Sequence, residues 1–384
     1  MFFSQISCIF AKKKLNTTMQ QKEGYRDFDE YLRQGEPSQR EAAFAWSTAI
    51  GLQAVDGLQT SSYLQDTARR NIEGEITIDE ARSLVNQYYI TKTAHDNDDA
   101  DKEEADRVSS NIVKVLASRT FDFSTGGYQS VHRRIFEGVM KHAGELRKYD
   151  ITKKEWVLEG DTVLYLNWED LHRALDYDLE QERAYSYVGK SSDEMITHLT
   201  RFVSGLWQIH AFPEGNTRAT AIFVIQYLRS LGFKVGNDLF AKHSWYFRNA
   251  LVRANYSNLQ ESVTETTIYL ERFFRNMLLG ETTPLRNCEL HLDWNSSTEE
   301  QSAKPSLASA NFSLGLPAKC KNCTLEEIAV LRVIQQNPSA PQKFVASEIG
   351  KSERTVKSIT ARLTEQGIIR RSKGKGSPWE IIVS

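Results

Sequence analysis

Apolar residues recur at three- and four-residue intervals along most of the chain, a spacing that predicts helices. In PSQREAAFAWSTAIGLQ, Ala42, Ala45, Trp46, Ala49 and Ile50 share one face. VDGLQTSS interrupts that helix at an Asp-Gly pair. SYLQDTARRNIEG reads as a second, short helix stopped by Gly74. TIDEARSLVNQYY opens on Thr77 with Glu80 three residues later, the capping-box pattern. Residues 19–92 therefore read as a small helical module.

Beyond it, HDNDDADKEEADR is an acidic run that reads as a solvated connector and helix start. A calcium loop would need an oxygen ligand at Ala100 and glycine at Asp101, so that reading fails. Residues 110–282 are again helical in pattern, with one exception. In ITKKEWVLEGDTVLYL, two β-prone runs flank Glu159-Gly160-Asp161, which predicts a β-hairpin standing among helices. Residues 294–319 lose all periodicity and are rich in Ser, Ala and Pro, so they read as a linker.

The last region, 323–384, follows its own pattern. Thr324 and Glu327 form a capping box, and Leu325, Ile328, Leu331 and Ile334 make a helical stripe. Pro341 opens a second helix, which ends near Gly350. Ser352 caps a third, with Val356, Ile359 and Leu363 inward, and Gly367 stops it. Two β-prone runs, IIRR and WEIIV, then flank SKGKGSP. Three helices and a basic hairpin are the pattern of a winged helix-turn-helix.

Composition narrows this picture. Among 384 residues, 48 Lys and Arg face 50 Asp and Glu, a net charge of −2, so the chain as a whole is no basic nucleic-acid coat. Four cysteines suit a reducing compartment, and a cytoplasmic location is expected. No apolar run approaches the roughly 20 residues needed to span a bilayer, and no membrane association is expected. MFFSQISCIFAKKK is apolar first and basic second, the reverse of a signal peptide. Residues 1–18 therefore read as a spurious or disordered extension, with Met19 as an alternative start.

Candidate chemistry concentrates in HAFPEGNTR, His210 to Arg218, just before the apolar stretch AIFVIQYLRSLGF. A helix N-terminus offers unpaired N–H groups and the positive end of a dipole, so it attracts phosphate. Gly215 allows close backbone approach, and Asn216 and Arg218 can donate to phosphate oxygens. Glu214 can hold Mg²⁺, and His210 can take a proton from a hydroxyl. Phe212 is expected to anchor the loop in the core. Spacing alone does not choose between such a site and a polar turn before a core helix.

The stretch resembles the Fic family signature, H-x-F-x-[DE]-G-N-x-R. HRRIFEGVMKHAGELRKYDITK, His132 to Lys153, resembles the family segment that leads into a β-hairpin flap. WYFRNALVRAN, Trp245 to Asn255, resembles the helix after the motif helix. The resemblance covers residues 110–280 and implies a mainly α, helical Fic fold with a β-hairpin flap. The activity implied is AMP transfer from ATP, with Mg²⁺, to a Ser, Thr or Tyr hydroxyl of a target protein. His210 would be the base, Glu214 the Mg²⁺ ligand, and Gly215, Asn216, Thr217 and Arg218 the phosphate cradle. The flap would align the target by main-chain pairing. Two positions depart from the common pattern G-N-G-R-x-x-R: Thr217 stands for Gly, and Ala221 stands for the second Arg. A branch of the family that transfers γ-phosphate also lacks that Arg, so a protein kinase on the same fold is the alternative. A DNA-binding regulator with a catalytically weak Fic domain is another.

The N-terminal module resembles the small antitoxins that accompany some Fic proteins, whose inhibitory helix carries [ST]-x-x-x-E-[GN]. Here LQAVDG stands in that place, with Leu52 for Ser/Thr and Asp56-Gly57 for Glu-Gly. Asp56 and Gly57 are thus candidate regulatory residues. In the C-terminal region, residues 350–384 hold eight Lys/Arg against three acids. Arg354, Lys357, Arg370, Arg371, Lys373 and Lys375 are candidate DNA contacts. The same fold also serves for protein docking, and a homodimer is a candidate state. Cys288 and His291 with Cys320 and Cys323 could offer four zinc ligands, although free thiols are the default.

Overall fold

In the computed structural model the described residues are 28–91, 97–187, 189–233, 235, 238–293, 325–349, 351–371 and 378–382. They form two compact units, one of 28–119 with 133–143 and 238–244, the other of 120–132, 144–235 and 245–382. The expected extension at 1–18 and the linker at 294–319 lie outside the described residues.

The first unit begins with α1 (28–34) and α2 (Pro37–Leu52). Then come α3 (Ser62–Ile72), α4 (Ile78–Thr91) and α5 (Asn97–Ala117). Ala43, Ala45, Trp46 and Ala49 are buried, close to the predicted face of α2. The indole N–H of Trp46 donates to Asn71 Oδ1 at 2.9 Å, which satisfies its polar edge in the core. Thr77 and Glu80 form the expected box: the Thr77 amide donates to Glu80 Oε2 at 2.7 Å, and the Glu80 amide to Thr77 Oγ1 at 3.2 Å. Asp106 of α5 is wholly buried and ties two helices to its own. It accepts from the amide of Ser61, the N-cap of α3, at 2.9 Å and from the Tyr89 hydroxyl at 2.8 Å. Residues 53–56 form a 3-10 turn after α2, closed by Gly57 at φ +74°.

The chain continues through α6 (Thr125–Ile135), α7 (Leu171–Ala184), α8 (Ser192–Ile209) and α9 (Asn216–Ser230). After them come α10 (Asp238–Ala254), kinked at His243, and α11 (Ile268–Phe274), which runs into a π-helical turn over Arg275–Leu279. α9 is the centre of the second unit, with every residue from Asn216 to Leu228 buried. A helix apolar all round belongs inside a core, and its sequence is almost free of charge.

The expected hairpin over 151–166 is not evident. That segment holds a 3-10 turn over Trp156–Leu158, with Glu155 extended before it and Glu159 and Gly160 at positive φ after it. The chain on either side of that turn meets through two backbone bonds, from the Glu155 amide to the Asp161 carbonyl at 2.9 Å and from the Gly160 amide to the Glu155 carbonyl at 3.0 Å. Adjacent Val157 and Leu158 are both buried, which a strand with alternating faces cannot arrange.

The C-terminal helices are α12 (Leu325–Gln336), α13 (Gln342–Glu348) and α14 (Glu353–Glu365). Strands β1 (Ile369–Arg371) and β2 (Trp379–Ile381) pair antiparallel, with Ile369 opposite Ile381. Val356, Ile359 and Leu363 are buried, and the Ser352 hydroxyl accepts from the Thr355 amide at 3.1 Å, both as expected. Thr324 lies outside the described residues. Its expected partner Glu327 is buried beside Arg362 of α14, at 2.5 Å.

Candidate functional site

α8 begins with a Ser191–Glu194 capping box and ends on His210, whose backbone is left-handed at φ +50°. A non-glycine residue seldom holds that conformation without support. Here the support is Arg147, itself buried. Its Nε donates to the His210 carbonyl at 2.8 Å and its other nitrogens to the carbonyls of Ile209, Tyr149 and Leu166. Its own amide bonds the Ala211 carbonyl at 2.9 Å. One guanidinium thus fixes both the His210 turn and the ends of the 149–166 segment.

The loop then closes on itself. The Asn216 side chain accepts from the Phe212 amide at 2.9 Å and donates to the Phe212 carbonyl at 2.7 Å. Gly215, at φ +73°, turns the chain into α9. His132 braces the outer side. The Gly144 amide donates to its Nδ1 at 2.8 Å, so the ring proton sits on Nε2, which donates to the Glu214 carbonyl at 3.0 Å. The same ring stacks on Phe212 with centroids 3.8 Å apart, and Phe212 is buried as expected.

His210 is only 3% exposed, and neither ring nitrogen has a hydrogen-bond partner among the described residues. Tyr165 lies over the ring at 4.1 Å and Trp207 meets it edge-on at 5.3 Å. Burial, and then the charges of Lys153, Arg147 and Arg248, hold its pKa well below the usual histidine range. The ring is therefore neutral at pH 7 and able to accept a proton. Burial alone would raise the pKa of Glu214. The charge and hydrogen bond of Lys153, the Gly215 amide and the Arg218 charge outweigh it and hold the carboxyl below its ordinary value. Lys153 Nζ lies 3.1 Å from Glu214 Oε1.

Thr217 and Arg218, in the first turn of α9, are both buried. Thr217 Oγ1 accepts from the Trp207 indole N–H at 3.0 Å. Ala221 is fully buried and brings no charge. A second ion pair stands behind the histidine: Arg248 Nη1 is 2.7 Å from Glu155 Oε2, and the Tyr165 hydroxyl donates to Glu155 Oε1 at 3.3 Å.

The structure thus gathers His210, Glu214, Gly215, Asn216, Thr217 and Arg218 at the head of one helix. The Asn216 side chain is engaged with the Phe212 backbone and shapes the loop. Arg147, Lys153, Tyr165, Trp207 and His132 were not singled out as site residues from the sequence. Arg147 and Lys153 fall within the segment quoted for its resemblance, but nothing periodic marks them, since they act from extended chain. A single carboxylate suits Mg²⁺, which keeps most of its ligands as water and phosphate oxygen, and the helix N-terminus beside it suits the phosphate.

The other predicted residues lie elsewhere. Asp56 is exposed at the end of the 3-10 turn in the first unit, and Leu52 is buried. In the winged region Arg354 is exposed. Lys357 pairs with Glu353 at 2.9 Å and Arg370 with Glu380 at 2.7 Å. Arg371 sits over the Trp379 ring at 4.1 Å. Lys373 and Lys375 lie outside the described residues, as do Cys320 and Cys323. Cys288 is an exposed free thiol. His291 instead neighbours Glu159 and Asp293, with one ligand atom from each within 4.8 Å of the others.

Among the described residues no helix is long and apolar enough to cross a membrane. No match to the chain was found among curated proteins. Among solved structures, it is similar to the N-terminal Fic domain of a Bartonella effector protein, a substrate of the VirB type IV secretion system, from Bartonella sp. AR 15-3. Identity there is 19%, the match covers 46% of this chain and 82% of that one, and the TM-score is 0.35. It is also similar to a Fic family protein from Desulfovibrio desulfuricans G20, at 12% identity over 96% of both chains, with a TM-score of 0.40. Residues 327–370 match the winged helix-turn-helix DNA-binding family. Residues 122–228, which carry the His210 loop between its two helices, match the Fic/DOC family. The chain thus carries a Fic/DOC family domain over residues 122–228 and a winged helix-turn-helix domain over residues 327–370.

Proposed function

We propose that the protein is an adenylyltransferase that moves AMP from ATP to a hydroxyl side chain of a target protein. The observation that carries this reading is His210: buried, neutral, with neither ring nitrogen partnered among the described residues, at the head of the helix that Glu214 and Gly215 open. A neutral imidazole can take the hydroxyl proton as the oxygen bonds to the α-phosphorus and pyrophosphate leaves. The first-turn amides of α9 and the Arg218 guanidinium suit the charge on the phosphate oxygens. Glu214 would hold Mg²⁺, which would neutralise phosphate charge when bound. Arg147 keeps His210 in its turn, and Tyr165 and Trp207 keep water from the ring.

The buried Ala221 favours a second reading, transfer of the γ-phosphate, because no cation stands one helical turn beyond Arg218. ATP labelled at the α- or the γ-phosphate, incubated with the protein, Mg²⁺ and cell lysate, separates the two. Label on protein from the α-position, lost in His210→Ala, supports adenylylation; label from the γ-position alone supports phosphorylation. The winged domain suits DNA, through Arg354 and the wing. The Asp56-Gly57 turn is proposed as a regulatory element, and equal transfer by Asp56→Ala and the parent would remove it from that role.

A further inference from the structure

We propose that Lys153 is a nucleotide ligand held in reserve by Glu214, and that the two part when Mg²⁺ and nucleotide enter; this rests on the nucleotide reading above. Four observations lead there. Lys153 comes from the extended segment before the Trp156–Leu158 turn, not from the motif, yet its ammonium reaches Glu214 Oε1 at 3.1 Å. The contact is a hydrogen bond as well as an ion pair. The side chain is 27% exposed and so open to solvent in part, whereas Arg218 and Arg147 are buried. Its charge is felt by both Glu214 and His210, so it stands near the candidate metal ligand and the candidate base alike.

One carboxylate oxygen cannot serve an ammonium and a divalent ion equally, since the two cations repel. In the free protein Lys153 is the counter-ion of Glu214. Once a divalent ion takes the carboxylate, the ammonium is left beside it with three donors and no acceptor. The nearest acceptors are then the phosphate oxygens of the nucleotide at the head of α9. The lysine thus changes partner, from carboxylate to phosphate, on a flexible four-carbon stem suited to it.

The exchange predicts opposite effects on two ligands. In the full-length protein, Lys153→Met should weaken MgATP binding about tenfold by calorimetry, the value of one charge-assisted hydrogen bond. The same variant should bind Mn²⁺ alone about threefold more tightly, followed by the ion's paramagnetic resonance, because the competing ammonium is gone. Lys153→Arg should restore much of the MgATP affinity. A residue that merely propped the loop would weaken both ligands together, and that result would overturn the proposal. So would MgATP binding to Lys153→Met as tightly as to the parent. If the parent itself binds no MgATP, the nucleotide reading falls first and this inference with it.

Discussion

The indole N–H of Trp207 donates to the hydroxyl of Thr217 at 3.0 Å, across the loop from the last turn of α8 to the first turn of α9. Thr217 occupies the position where the family pattern has glycine, so the departure is matched by a buried donor that needs it. Thr217→Gly should therefore cost about 2–4 kcal/mol of stability, from an unsatisfied indole and a glycine in a helix. Thr217→Ser should cost far less. Denaturant unfolding of both variants checks this, and equal loss would mean the bond does not matter.

His210 should stay neutral well below the ordinary histidine range. Its folded pKa is depressed, so its contribution to stability is full above about 6.5, the unfolded value, and is lost as pH falls below it. Ring-proton NMR should show no titration of His210 between pH 7.5 and about 6. A midpoint near 6.5 would mean the ring is solvated and the site is more open than described.

Asp106 gives the opposite sign. Burial pushes its carboxyl up to about 6 from 3.8, against the hydrogen bonds from Ser61 and Tyr89. The folded state then binds more protons than the unfolded chain between those values. Stability should fall as pH rises through that window, by on the order of 3 kcal/mol. The measurement is the difference between the parent and Asp106→Asn in unfolding free energy from pH 4 to pH 6.5. A flat difference would remove Asp106 from the account.

In the winged domain, Arg354 is exposed, while Arg370 and Arg371 are held by Glu380 and Trp379. If the domain binds DNA, Arg354→Ala should lower the slope of log affinity against log salt by about one. Arg371→Ala should also loosen the wing, seen as a lower thermal midpoint. An unchanged salt slope in Arg354→Ala would place that face away from phosphate.

Much of this architecture was legible in the chain because it is local. Capping at Thr77, the stripe of α14 and the turn at Gly215 depend on neighbours within four residues, and sequence displays these directly. The candidate base and metal ligand were legible for the same reason, being packed into one nonapeptide. What escaped was built over distance. Arg147 and Lys153 act on residues about 60 positions away, and His132 on a carbonyl about 80 positions away. The expected hairpin failed because Val157 and Leu158 both turn inward, so burial overrode a β-prone composition. The hold of Asn216 on the Phe212 backbone likewise cannot be read from residue type.

The burial of α9 carries a warning for mutational scans. Thirteen consecutive positions, Asn216 to Leu228, have no solvent face. A library of random changes would return α9 as a hot stretch whatever chemistry the protein performs. Thr217 and Arg218 are core residues before they are anything else, so loss of transfer at either position speaks to catalysis only beside a folding measurement. His210 stands just outside that helix, on a loop, and is the position where lost activity with retained fold would be most informative.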